Sequence, residues 1–380
     1  MRFGHIPALD GLRGVAIILV LFHHLTIHRP TSGVDEWIAS VPLFGWSGVD
    51  LFFVLSGFLI TGILIDLRGS DRFFTNFYAR RTLRIFPLYY LVVFLALHVL
   101  PLLPTLHQVI VGPYEIPPRW AYWTYLTNFS VAERGFVHGW LDVAWSLAIE
   151  EQFYLLWAPL VFFCPPRYLW MVCVAIIAGE PAARNVAVGR AMDTTAVYVQ
   201  TWFRLDGLAT GALLAWLLRR NWLPALAPWA PTAAIAGAVA IVMIVIEGGD
   251  SWWWQPPMQR IGYSVIALTA GALLVMTLQK DGLWVRMMSA GWLRMFGKYS
   301  YCLYLIHLPV MRTIREYVFD PADYAMLAPW VGQALFYVIA TAPAVGLSWL
   351  SWKVFEAPIL SLKKHFESTR KGPGEMPPSP

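Results

Sequence analysis

The sequence predicts an all-α polytopic membrane protein with about ten transmembrane helices and both termini in the cytoplasm. Of its 380 residues, 58% are hydrophobic and only 13% are charged, whereas a soluble domain carries about 25% charged residues. Many windows reach the roughly 20 apolar residues that a membrane span needs. The basic residues gather at the ends of these windows, which is typical of cytoplasmic loops.

The predicted spans follow one another along nearly the whole chain. They cover residues 11–28, 45–66, 83–103, 140–163, 167–180, 202–219, 229–247, 259–278, 297–314 and 329–353. No small-residue cleavage site follows the first segment, so we interpret it as a retained helix rather than a signal peptide. The fifth segment is short. The stretch RWAYWTYLTNF at 119–129 indicates an interfacial or partial helix, because Trp and Tyr favour the headgroup region.

The Lys and Arg residues of the short loops predict the orientation. With a cytoplasmic N-terminus, the ends of the even-numbered segments receive most of them, as the positive-inside rule requires. We therefore expect a multi-pass protein of the inner (plasma) membrane. One membrane domain covers 1–362, and a disordered, Pro- and Gly-rich cytoplasmic tail covers 363–380. The lipid bilayer is the expected environment.

Charge and cysteine usage exclude other classes. The net charge of +5 comes from the ends of the apolar segments and does not indicate a nucleic-acid partner. The three cysteines, Cys164, Cys173 and Cys302, have no metal-ligand spacing, so we expect them to be reduced and expect no metal site.

The first segment carries polar residues that lipid does not solvate. Arg13 and His24 are eleven positions apart, which is close to three full turns and about 16 Å along a helix. They therefore share a face, with Asp10 on the same side, whereas His23 points elsewhere. This pattern predicts a cavity with a cation near its cytoplasmic end and an imidazole, the usual general base near neutral pH, further in. Alternatively, His24 only hydrogen-bonds a neighbouring helix.

Two further segments add charged candidates. In YARRTLRIFPLYYL, Arg81 and Arg84 are neighbours on a helix surface. They are either a cytoplasmic anchor or a phosphate clamp, because guanidinium groups bind phosphate bidentately. In WSLAIEEQFYLLW, Glu150 and Glu151 interrupt an apolar helix and project about 100° apart. We expect one to pair with an arginine such as Arg13 and the other to line the cavity.

Three further stretches supply the remaining cavity candidates. Asp50 and Ser56 lie in WSGVDLFFVLSGFLIT, whose Gly48 and Gly57 allow close helix approach. In FRLDGLATGALLAW, Asp206 is expected to pair locally with Arg204. The ninth segment, YSYCLYLIHLPV, adds two more candidates, Tyr301 and His307. For His307, a satisfied packing role is at least as plausible as a role in catalysis.

The order of these motifs resembles acyltransferase family 3, a family of integral membrane proteins that includes O-acetylases of bacterial surface polysaccharide. The likeness covers residues 6–360 and comprises LDGLRGVAIILVLFHH, GVDLFFVLSGFLIT, RRTLRIFPLYYL, WSLAIEEQFYLLW, FRLDGLATGALLAW and YSYCLYLIHLPV. The family's arginine and histidine separated by ten residues correspond to Arg13 and His24. Its arginine pair corresponds to Arg81 and Arg84.

The resemblance implies transfer of an acyl group, commonly acetyl, from acyl-CoA to a hydroxyl of a saccharide, a glycolipid or a small acceptor. Arg13, Arg81 and Arg84 would then bind the donor. We expect the catalytic residues to be His24 as general base with Glu150, Glu151 and Asp10. A covalent acyl-enzyme on Ser56 or a histidine is the less favoured variant, because no Ser–His–Asp arrangement is visible.

A proton-coupled secondary transporter is the alternative function. Intramembrane ionisable groups such as Glu150, His24 and Asp206 serve as proton relays in such proteins. The sequence shows no inverted repeat of interrupted helices, which is the usual indication of a transporter site. The acceptor and the acyl chain length are not readable from the sequence.

Overall fold

The computed structural model describes residues 6–28, 33–112, 118–137, 139–324 and 329–366. These residues form helices and connecting turns without any strand. Ten of the helices have 15 residues or more. They are α1 Pro7–Leu25, α2 Gly48–Leu67, α3 Phe73–Phe94, α4 Ala144–Phe163, α5 Leu169–Gly189, α6 Leu205–Arg219, α7 Ala230–Gly248, α8 Tyr263–Thr277, α9 Gly291–Tyr317 and α10 Pro329–Ser351.

Each predicted span overlaps one of these ten helices, and the all-α membrane class is confirmed. Seven helical stretches within the described residues are long and apolar enough to cross a membrane. Three of the ten long helices, α4, α6 and α9, are not among these seven stretches. Helix α6 has only 15 residues, and α4 and α9 carry many of the polar residues of the site. The number of crossings and the side on which the termini lie stay predictions.

Helix α5 extends nine residues beyond the predicted end at 180, to Gly189. The apolar pattern predicts too early an end because Glu180 and Arg184 interrupt the apolar run. These two side chains are buried and paired, with Arg184 Nη1 3.2 Å from Glu180 Oε2. A buried ion pair lets the helix continue through a region that would otherwise be too polar.

Glycines bring the central helices into backbone contact. At Gly297 of α9, a Cβ would overlap the carbonyl oxygen of Asp10 in α1. At Gly57 of α2, it would overlap the carbonyl oxygen of Leu208 in α6, and Gly48 abuts Ala16 in the same way. The predicted close approach at Gly48 and Gly57 is therefore confirmed. Small residues at such contacts are typical of membrane helix packing.

Shorter elements complete the fold. The aromatic stretch at 119–129 contains the helix Arg119–Trp123 and the start of the helix Thr127–Arg134. The three cysteines are free. Of the predicted tail, residues 363–366 belong to a short helical turn, Leu362–Phe366, and residues 367–380 lie outside the described residues.

Candidate active site

A central cavity lies among α1, α2, α3, α4 and α9. It contains about 800 Å³ of space between its walls, counting the part that opens to solvent. Seven of the predicted site residues line it: Arg13, Ser56, Arg81, Arg84, Glu150, Glu151 and Tyr301. The fold thus gathers both arginine motifs and both adjacent carboxylates around one space.

Glu150 is held by two hydroxyl groups. Ser56 Oγ donates to Glu150 Oε2 over 2.8 Å, and the Tyr154 hydroxyl donates to the same oxygen over 2.5 Å. The Arg81 guanidinium lies 5.3 Å from the centre of the Tyr154 ring. Charge-assisted hydrogen bonds of this kind fix the orientation of a carboxylate.

The second carboxylate also faces the cavity. Glu151 lines it beside Glu150, and its Oε1 is a buried atom with no hydrogen-bond partner among the described residues. We expected one of the two glutamates to pair with an arginine. In the described part of the chain neither glutamate forms an ion pair with an arginine. Glu150 accepts hydrogen bonds from two hydroxyl groups instead, and Glu151 Oε1 has no partner among the described residues. Such an acceptor can receive an N–H or O–H of a bound molecule.

A second cavity of about 1100 Å³, counting open solvent, adjoins the first. Arg13 and Arg84 line both cavities, so these two side chains lie between the two spaces. Arg294 and Lys298 of α9 add two more cations, whereas Asp10 is the one carboxylate in the described lining. The excess of guanidinium and ammonium groups makes this cavity suitable for a polyanionic group such as phosphate.

An aromatic ring closes one side of the second cavity. Trp352 belongs to its lining. The Arg84 guanidinium lies 5.6 Å from the Trp352 ring centre, and Lys298 Nζ lies 4.9 Å from it. Cation–π contacts of this kind hold the two cations in place.

The predicted base lies beyond the central cavity. His24 and His307 are not among the described residues that line either cavity; they contact each other, with His307 Nε2 3.1 Å from His24 Nδ1. Tyr304 connects the two regions, because it lines the central cavity and its ring centre is 6.1 Å from that of His307. His23 is oriented differently and has Nδ1 2.6 Å from the Leu43 carbonyl oxygen.

Asp50 and Asp206 lie in a separate buried ion-pair cluster. Arg204 Nη2 is 2.7 Å from Asp50 Oδ1, and Arg184 Nη2 is 2.9 Å from Asp206 Oδ2. The local Asp206–Arg204 pairing that we expected does not form. Arg204 immediately precedes α6 and has a non-helical backbone conformation, so its side chain reaches Asp50 in α2. Asp206 pairs with Arg184 of α5 instead. Neither aspartate is part of the described cavity linings.

Sequence reasoning missed several residues of the two cavities, namely Ser146, Tyr154, Arg294, Lys298, Tyr304 and Trp352. Two of them had a usable signal: Tyr154 is four positions after Glu150, and Lys298 is four after Arg294, which places each pair on one helix face. The hydroxyl of Tyr304 contacts that of Ser146 at 2.6 Å. This contact joins α4 to α9 and has no local signature.

Comparison with known proteins places these features in context. Peptidoglycan O-acetyltransferase OatA of Listeria monocytogenes is 28% identical over 370 residues, which are 93% of this chain and 56% of that protein. A putative peptidoglycan O-acetyltransferase, YrhL, of Bacillus subtilis is 30% identical over 326 residues, covering 81% of this chain and 49% of the relative. O-acetyltransferase OatA of Staphylococcus aureus is 27% identical over 338 residues, covering 82% and 52%.

The chain spans about half the length of these curated relatives. No solved structure gives a significant match. The acyltransferase domain model, that of acyltransferase family 3, matches residues 6–353. This range contains every residue of the two cavities. The chain therefore belongs to the acyltransferase domain family.

Proposed function

We propose that this chain is a membrane-embedded O-acyltransferase that transfers an acetyl group from acetyl-CoA to a hydroxyl of a cell-envelope saccharide, such as peptidoglycan. The junction of a cation-rich cavity with a hydroxyl-lined cavity at Arg13 and Arg84 carries the proposal. A donor with a polyanionic head and a long polar arm fits such a pair of spaces. The names of the relatives support a saccharide acceptor.

The donor binds with its phosphates in the second cavity. Arg13, Arg84, Arg294 and Lys298 neutralise the phosphate oxygens, since charge-assisted bonds to phosphate are among the strongest in proteins. The pantetheine arm then extends through the central cavity. Its amide N–H groups meet Glu151, whose buried oxygen has no partner among the described residues.

His24 is the general base. It lies about 16 Å along α1 from Arg13, which is the direction in which an extended donor arm would carry its thioester. His24 takes the proton of the acceptor hydroxyl while the hydroxyl oxygen forms a bond to the thioester carbonyl carbon. The C–S bond then breaks, and the proton passes to the departing CoA thiolate. Acceptor hydroxyls reach this end of α1 from the outer side of the membrane.

A direct test uses purified protein in lipid nanodiscs with labelled acetyl-CoA and a peptidoglycan fragment. His24→Ala should lower the rate of transfer by about 10²- to 10⁴-fold, the usual contribution of a positioned base, with unchanged affinity for CoA. His98→Ala is the matched control, because His98 is exposed and its ring lies against Phe94 and Trp123 instead; this variant should retain activity.

Two outcomes would contradict the proposal. Undiminished transfer by His24→Ala would remove the assigned base. An absence of acetyl transfer by the wild-type protein, together with proton movement across vesicles that contain it, would instead favour the transporter alternative.

A further inference from the structure

Two histidines from opposite ends of the chain form a direct contact. His307 of α9 is buried, with 2% exposure. Its Nε2 lies 3.1 Å from His24 Nδ1, and the two ring centres are 4.9 Å apart. The proposed function gives a role to His24 and none to His307.

The contacts of His307 define which of its nitrogens carries a proton. Its Nδ1 lies 3.0 Å from the Leu303 carbonyl oxygen and 2.8 Å from that of Tyr304. A carbonyl oxygen only accepts, so Nδ1 must donate. In a neutral ring Nε2 is then an acceptor and faces His24 with its lone pair. No carboxylate pairs with His307 in the described ranges, and a buried cationic ring without a counter-ion is costly.

The same reasoning defines the tautomer of His24. Its Nδ1 faces His307 Nε2 and also the Val20 carbonyl oxygen, 3.1 Å away. Both of these atoms are acceptors, so His24 Nδ1 carries the proton that they share. Were His307 to donate instead, the lone pair of His24 Nδ1 would point at the carbonyl oxygen of Val20. In a neutral imidazole the proton on Nδ1 leaves Nε2 as the basic atom.

We propose that His307 is a positioning residue that holds His24 as the Nδ1–H tautomer, with Nε2 as the atom that takes the acceptor proton. The proposal rests on the proposed function of His24 as general base. In many active sites with a general base, a further side chain hydrogen-bonds the base and fixes its orientation. His307 has this role here. Here a second imidazole replaces the carboxylate that commonly serves this role, so the pair adds no charge to the membrane interior.

Nitrogen NMR of the full chain tests the geometry without reference to activity. Protein labelled with ¹⁵N-histidine is reconstituted in nanodiscs, and the His24 and His307 signals are assigned by their loss in His24→Asn and His307→Gln. We expect pyrrole-type Nδ1 signals for both rings. A through-hydrogen-bond coupling should connect His24 Nδ1 to His307 Nε2. A pyrrole-type Nε2 signal for His24 would overturn the proposal.

Kinetics test the consequence. His307→Leu should lower kcat by about 10- to 100-fold and leave the KM for acetyl-CoA unchanged. The loss is smaller than for His24→Ala, because the Val20 carbonyl still accepts the Nδ1 proton. His307→Gln should recover much of the rate, since its amide oxygen can accept from His24. His98→Leu, the same change at an exposed histidine, is the matched control and should keep the wild-type kcat.

The outcomes separate this inference from the proposed function. A wild-type kcat in His307→Leu, with His24→Ala inactive, would refute the positioning role and leave the function intact. If His24→Ala remained active, the assignment of His24 as general base would fail, whereas the nitrogen spectra would still report whether His307 holds the Nδ1–H tautomer. Should His307→Leu not fold, the spectra of the wild type and the rate of His307→Gln decide the question.

Discussion

Glu150 Oε2 accepts hydrogen bonds from Ser56 and from Tyr154, so at the scale of single residues these two donors act as one unit. Ser56→Ala and Tyr154→Phe should each lower the free energy of unfolding by about 1–3 kcal/mol, because each leaves a half-buried carboxylate with one donor fewer. The double variant should lose more than the sum, since either donor alone still satisfies the shared oxygen and only the double variant removes both hydroxyl donors from it. Thermal unfolding in nanodiscs measures these effects, and strictly additive losses would contradict the shared-oxygen geometry. Tyr90→Phe, whose hydroxyl bonds the Trp123 carbonyl instead, is the control for loss of a tyrosine hydroxyl.

The cations of the second cavity give a prediction on donor affinity. Arg294→Gln and Lys298→Gln should each weaken CoA binding by about 10- to 100-fold, the equivalent of one charge-assisted hydrogen bond. Arg286→Gln removes an exposed cation just before α9 that does not belong to the cavity, so it should leave the Kd unchanged. Isothermal titration with CoA provides the measurement. Equal weakening by all three variants would indicate a general loss of positive charge rather than a defined site.

At the scale of helices, the contact between α1 and α9 sets the distance between Arg13 and the residues of α9. Gly297→Ala should destabilise the protein by about 1–3 kcal/mol, because the new Cβ would overlap the Asp10 carbonyl oxygen and force the helices apart. Gly346→Ala, in α10, is the matched control: no atom lies within 4 Å of a Cβ built there. A glycine-to-alanine change in an open helix position is expected to be neutral or to stabilise by up to about 1 kcal/mol. Thermal unfolding of the two variants provides the measurement. A Gly297→Ala variant as stable as Gly346→Ala would refute the packing argument.

At the scale of the whole molecule, the loop charges predict both termini on the cytoplasmic side. Green fluorescent protein fused to either end of the full chain should therefore fluoresce, and alkaline phosphatase fused at the C-terminus should be inactive. Alkaline phosphatase fused after Arg190, at the end of α5, should be active, because an odd-numbered span ends on the outer side in this topology. An active C-terminal phosphatase fusion would contradict the topology and the cytoplasmic position of the donor cavity.

The sequence predicted the helices well because each depends on a local apolar run. All ten segments overlap long helices. The largest differences are at the start of α3, which is Phe73 rather than 83, and at the end of α5, where Glu180 and Arg184 pair within the protein. The membrane-crossing pattern of such runs is a property of composition and length. Helix periodicity also placed Arg13 and His24 correctly on one side of α1, but it could not tell how far a cavity would follow that side.

The site itself was less predictable because its contacts are between distant parts of the chain. Ser56 and Glu150 were both candidates, yet nothing local indicates that one donates to the other. Likewise Asp206 has Arg204 two residues away and pairs with Arg184 instead. The His24–His307 contact joins residues 283 positions apart. Pairings of this kind follow from how the helices pack, which a single sequence does not encode in any short pattern.

The junction of the two cavities has a bioenergetic consequence. Arg13 and Arg84 line both spaces, and arginine keeps its charge under all physiological conditions. Fixed positive charge between the two spaces repels sodium ions and hydronium, as the arginine of a water channel does. In an energy-coupling membrane, such a charge would keep the cavity from conducting the cations whose gradient drives ATP synthesis.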